Sequence, residues 1–127
     1  MDFLNDYNGQ IMEEDIEFIK IFLTNIIEKK ENDTIILLSG DNACGKTRLI
    51  NQIINYIGSE NVYTYLPNHY DKIKSLIALD AWIDTLKKND LNYLRNLCIY
   101  KQSIIMTRHI RQNIPEEIEY NVRIIDM

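Results

Sequence analysis

Glycine and proline are scarce, with four and two in a chain of 127 residues. That excludes collagen-like and low-complexity architectures and leaves no stretch to serve as a flexible linker. No internal repeat divides the chain. Cysteine occurs twice, at Cys44 and Cys98, too few for a disulfide scaffold. With no secretory leader, both are expected as free thiols in a reducing, cytoplasmic setting, or in the cytoplasm or nucleus of a host. Apolar runs stop at four residues, as in Ile35-Ile36-Leu37-Leu38 and Leu76-Ile77-Ala78-Leu79. About 20 are needed to cross a bilayer, so no membrane contact is expected. An excess of positive charge is also lacking, and a net charge of −5 argues against a general nucleic-acid coat while leaving room for local contact with nucleic acid.

What is present is the composition of a globular domain, 46% hydrophobic and 26% charged. Its charge is uneven. Up to Asp33 nine acids face three lysines, whereas from Thr34 onward ten acids meet eleven bases. The reading is one domain over 1–127, an acidic amphipathic helix within 1–33 leading into a nearly neutral core over 34–127. The 23 isoleucines and 14 asparagines suggest an AT-rich gene, as in many viruses and mobile elements.

Ile16, Ile19, Phe22, Leu23, Ile26 and Ile27 recur at helical steps, which predicts a helix over 13–30. The unbroken apolar stretch 34–39 predicts a strand buried on both faces. A helix over 46–57 should follow, closed by Gly58. Further strands are expected over 62–65, 75–79, 103–107 and 122–125, with helices over 90–100 and 115–120. Strands alternating with helices imply an α/β fold of three layers, a mostly parallel five-stranded sheet with helices on both faces. Ligands of such sheets lie at the carboxyl ends of the strands.

Directly after the first strand stands Gly40-Asp41-Asn42-Ala43-Cys44-Gly45-Lys46-Thr47, which fits the pattern glycine, four residues, glycine, lysine, then serine or threonine. Glycines let the backbone close around a phosphate chain, and the loop amides with the following helix N-terminus supply partial positive charge. Lys46 adds a full charge against the β- and γ-phosphates. Thr47 is placed to give its hydroxyl to a bridging Mg²⁺. Arg48, next in the chain, joins the candidate nucleotide-binding residues.

With these residues the chain resembles P-loop NTPases, and more narrowly the AAA+ and superfamily 3 helicase branch, in which a further strand sits between the P-loop strand and the acid-bearing strand. The resemblance covers nearly the whole chain, though only the loop is specific. It implies ATP and Mg²⁺ as ligands and Asp80, at the end of Leu76-Ile77-Ala78-Leu79-Asp80, as the metal-binding acid. It also makes Thr107, at the end of Ser103-Ile104-Ile105-Met106, the candidate sensor of the γ-phosphate. The family usually follows its aspartate with an acid that polarises the attacking water, and here Ala81 stands instead. Asp84 either swings a carboxylate back toward the site or caps the helix beyond it. Arg108, beside Thr107, is a candidate catalytic residue, and Arg108, Arg111 or Arg123 serves either as an arginine finger in trans or as a surface ion-pair partner. The helical lid of AAA+ proteins is not found before the chain ends, so a second copy or a partner is expected to complete the site.

The remaining chemistry-bearing residues are read more plainly. His69 and His109 lack ligand clusters and are expected at the surface, without structural zinc. Tyr63, Tyr65 and Tyr70 read as a half-buried strand face rather than a nucleic-acid platform. Cys44, among loop amides at a helix start, is expected to be reactive. The functional classes are thus an assembling ATPase in replication, packaging or remodelling of nucleic acid, a small nucleotide or polynucleotide kinase, and a nucleotide-bound switch. No Asp-x-x-Gly follows the loop and no Asn-Lys-x-Asp motif occurs, which argues against GTP.

Overall fold

The computed structural model describes residues 1–41, 43–67, 74–80 and 85–127. A short 3₁₀ helix, Asp2–Tyr7, precedes α1 (Glu13–Ile27), β1 (Ile35–Gly40) and α2 (Lys46–Ile57). A 3₁₀ turn at Ser59–Asn61 leads to β2 (Val62–Tyr63), followed by β3 (Leu76–Leu79), α3 (Lys88–Ile99), β4 (Ser103–His109) and β5 (Val122–Asp126). The five strands form one sheet in the order β2-β3-β4-β1-β5, and every neighbouring pair is parallel.

Alternation along the strands feeds two cores. Ile36 and Leu38 of β1, Ala78 of β3, Ile105 of β4 and Ile125 of β5 pack with α1 and α2 on one face. Ile35, Leu37, Ile77, Leu79, Ile104 and Met106 point the other way, onto Leu91, Leu94 and Leu97 of α3. With helices on both faces, the central strands must be apolar throughout, and every residue of β1 is buried.

The helix ends carry the first differences from expectation. α1 stops at Ile27 rather than at residue 30 because Lys29 turns to φ 59, Lys30 N–H bonds Asn25 O at 2.7 Å, and Lys29 N–H bonds Ile26 O at 3.1 Å. α3 closes in the same way, with Lys101 at φ 69 and Gln102 N–H on Leu97 O at 2.9 Å. Both are six-to-one closures with lysine where glycine is usual. α2 runs over its expected residues and ends at Gly58, whose φ of 99 favours glycine.

Two elements depart further. The strand expected over 62–65 keeps two residues, and Thr64 and Tyr65 leave the sheet ahead of Pro67, which has no donor for a ladder. The helix expected over 115–120 is a series of turns, with Ile118 N–H on Pro115 O at 3.2 Å and Asn121 N–H on Ile118 O at 2.8 Å. Six residues with three glutamates and one buried anchor, Ile118, are too short to nucleate an α-helix. Thus β4 reaches β5 through turns, while β1 leaves through α2 toward the other side of the sheet. β1 and β4 stay paired to Gly40 and His109, but the connections that follow them leave in opposite directions, which opens a crevice at their carboxyl ends.

Candidate functional site

That crevice is a cleft of about 440 Å³ lined by Ala43, Gly45, Lys46, Thr47, Arg48, Asp80, Thr107, Arg108, His109 and Gln112. Three strand ends and one helix start converge on it. β1 runs into the 40–47 loop, β3 delivers Asp80, β4 delivers Thr107 to His109, and α2 begins at Lys46. Among the described residues, Asp80 is the only carboxylate in the lining, whereas Lys46, Arg48 and Arg108 bring positive charge.

The loop is tight. A Cβ on Gly40 would stand 2.6 Å from Cys44 Sγ and 3.1 Å from the Met127 carbonyl oxygen, so only glycine fits without a shift. Gly45 holds φ 100, a left-handed conformation that admits few other residues. Lys46 folds back over this loop, its Nζ donating to Gly40 O at 2.6 Å and to Asp41 O at 2.9 Å and lying 3.7 Å from Cys44 Sγ. Gly40 O also accepts Ile110 N–H at 3.2 Å, so release of Lys46 toward a ligand leaves that carbonyl satisfied.

Opposite Lys46, the Asp80 carboxylate is gripped at both oxygens. Thr47 Oγ1 donates to Oδ2 at 2.8 Å and Thr107 Oγ1 donates to Oδ1 at 2.7 Å. Thr107 is 1% exposed, so its hydroxyl acts from the protein interior, while Thr47 is exposed at the helix start. The expected metal pair, Thr47 and Asp80, and the expected sensor, Thr107, thus meet in one cluster.

Other candidates are engaged in structure. Arg108 lines the cleft, but its Nε donates to Ser39 Oγ at 3.2 Å and its Nη1 to Gln112 O at 2.9 Å. Arg48 pairs with Asp6 at 3.1 Å and lies 5.7 Å from the centre of the Tyr7 ring, so its guanidinium serves the N-terminal segment. Arg123 stands away from the cleft, 3.0 Å from Asp15 Oδ1 and 4.2 Å above the Phe18 ring. Arg111 is exposed. Asn42, Ala81 and Asp84 lie outside the described residues, as do His69 and Tyr70.

His109 corrects the surface assignment. It is partly buried in the cleft lining, with Nε2 3.7 Å from Asp41 Oδ1 and Nδ1 accepting Arg111 N–H at 3.2 Å. The tyrosine cluster divides, since Tyr63 is buried under Lys74, whose Nζ lies 4.7 Å from its ring centre, and Tyr65 is 53% exposed. Both cysteines are free, Cys44 partly exposed and Cys98 buried. Burial pushes the Cys98 thiol up, Asp33 adding to the effect, and burial likewise raises Tyr7.

Residues that no motif announced complete the site. Gln10 donates its side-chain amide to Cys44 O, and Gln112 Oε1 accepts His109 N–H at 2.9 Å. Met127 packs its backbone against Gly40, with its N–H on Ser39 O at 2.8 Å. No protein-family model matches the chain, and neither a curated protein nor a solved structure matches it.

Proposed function

We propose that this chain is a magnesium-dependent ATP-binding protein of the P-loop type, an AAA+-like ATPase core. The observation that carries the reading is the cluster of Thr47, Asp80 and Thr107 facing Lys46 across an open cleft at the carboxyl edge of a parallel sheet. The strand order supports it too, because β4 lies between β1 and β3, as the AAA+ and superfamily 3 resemblance implies.

The donor set fits magnesium. A hydroxyl and a carboxylate 2.8 Å apart are hard oxygen ligands. Among the described residues there is no cluster of three His, Cys, Asp or Glu side chains, and magnesium usually takes one or two protein oxygens with the rest from water and phosphate. When bound, Mg²⁺ supplies charge neutralisation of the phosphate oxygens. Lys46 turns from the Gly40 and Asp41 carbonyls onto the phosphates, the loop amides bind them, and Thr107 keeps Asp80 aimed at the metal.

Hydrolysis by the isolated chain is slow in this reading. The position after Asp80 is Ala81, and among the described residues the cleft offers no carboxylate besides Asp80, which this reading assigns to the metal. A second copy or a partner then completes the site, and the resemblance suggests replication, packaging or remodelling of nucleic acid as the work. The same observation favours a second reading, a switch that binds without turnover.

Thermal unfolding with Mg-ATP and Mg-GTP tests the site. Ligand at about 100 times its Kd adds about 2.7 kcal/mol, which for a chain of this length raises the melting temperature by about 10 °C. The expected result is a shift with ATP that vanishes in Lys46→Ala, and no shift with ATP refutes the proposal. Phosphate release that rises more than linearly with protein, or on adding DNA or RNA, then favours the assembling ATPase over the switch.

A further inference from the structure

A loop that turns its N–H groups toward a ligand sends the carbonyl of each planar trans peptide the opposite way. Those carbonyls need partners of their own. Here Gly40 O takes Ile110 N–H at 3.2 Å, Gly45 O takes Leu49 N–H at 2.9 Å, and Cys44 O takes the side-chain amide of Gln10. The first two donors belong to the backbone of the neighbouring β4 turn and of α2. The third arrives from 34 positions earlier in the chain.

The turn that carries Gln10 is held through its backbone, Gln10 N–H and Ile11 N–H both bonding Tyr7 O, at 3.0 and 2.9 Å. Tyr7, 1% exposed, donates its hydroxyl to Gln52 Oε1 of α2 at 2.7 Å, and its ring lies 3.7 Å from where a Cβ on Gly45 would stand. Asp6 pairs with Arg48 of the same helix at 3.1 Å. Gly9, at φ 86, turns the chain between Tyr7 and Gln10.

We propose that Gln10 is a positioning residue for the 40–47 loop. By holding the Cys44 carbonyl it fixes the Cys44-Gly45 peptide with the Gly45 N–H directed to the opposite, ligand side. Its consequence for affinity rests on the phosphate-loop reading above, whereas its effect on the loop does not.

The test uses the full chain with Gln10→Met, similar in length and neutral but without a donor, and Tyr7→Phe, which removes a bond of the same segment that does not reach the loop. The first readout is the rate at which iodoacetamide alkylates Cys44 without nucleotide, and the second is the Kd for Mg-ATP. Gln10→Met is expected to react about fivefold faster and to bind about tenfold more weakly, with Tyr7→Phe near wild type in both. An unchanged alkylation rate in Gln10→Met overturns the proposal, as does an equal acceleration in both variants, which would mean loosening of the whole segment. Faster alkylation with an unchanged Kd also overturns it. If wild type binds no Mg-ATP, the phosphate reading fails alone, and the nucleotide-free alkylation rates still decide the role of Gln10.

Discussion

Thr107→Val is the most direct perturbation of the acid cluster. Valine keeps the shape of threonine but removes the hydroxyl that donates to Asp80 Oδ1 at 2.7 Å from a site 1% exposed. A hydrogen bond to a charged group contributes about 1.5–3 kcal/mol, and because Asp80 is only half buried, water recovers part of that, leaving a loss of about 1–2 kcal/mol. Unfolding entropy of about 2.1 cal/mol/K per residue gives about 0.27 kcal/mol/K for this chain, so the melting temperature should fall by about 4–7 °C. Among the described residues Asp80 is then held by Thr47 alone, and affinity for Mg-ATP should fall about fivefold as its carboxylate gains rotamer freedom. Thr107→Ser keeps the donor and serves as the control in calorimetry and in nucleotide titration. Valine and serine variants that melt within about 1 °C of each other and bind Mg-ATP equally would refute the reasoning.

Other outcomes follow from the same structure. A neutral alkylating reagent should modify Cys44 while Cys98, 1% exposed and bonded to Asp33 O at 3.3 Å, resists until unfolding; Mg-ATP should slow the Cys44 reaction, and equal rates with and without nucleotide would oppose the site. Arg123→Ala leaves Asp15, 9% exposed, without its partner and should destabilise the chain by about 1–2 kcal/mol in chemical denaturation while nucleotide turnover stays unchanged. Cys98 and Tyr7 both titrate higher in the folded chain than their ordinary values of 9.0 and 10.0. The stability they contribute is therefore present below those values and lost as pH rises past them, so denaturation midpoints should fall in alkali, the Cys98 part disappearing in Cys98→Ser.

Much of the site was legible because it is local. The apolar run into Gly40 and the spaced glycines before Lys46 carry strand, loop and helix within 23 residues, 35–57, and α2 occupies its expected span. Asp80 and Thr107 were legible as the polar residues after apolar runs, their roles coming from the family resemblance, although β4 runs on past Thr107 to His109. Helix closures by Lys29 and Lys101 were not, since lysine carries no local signal for a left-handed conformation that tertiary packing enforces. The 115–120 segment read as helix from proline and periodicity, but too little apolar surface backs it. Gln10 and Tyr7 escaped notice for a different reason. Their contacts span 34 and 45 positions, and no periodicity encodes a side chain that crosses to a loop so far along the chain.

The strand order explains why three side chains as short as threonine and aspartate can meet. Parallel neighbours lie about 4.8 Å apart, so with β4 between them the ends of β1 and β3 stand about 10 Å from each other. Asp80 cannot cover that distance alone. Thr107 fills it from the middle strand, and Thr47 comes from the other side, carried forward by the loop into the first turn of α2. If β3 paired directly with β1, Thr107 would lie on the far side of Asp80 or off the site altogether, and its hydroxyl could not sit between the acid and the loop. The inserted strand thus converts one carboxylate into an oriented one. In the proposed ATPase reading, a carboxylate held by two threonines and turned to a metal is not placed to take a proton from water, and turnover stays slow until another group is supplied.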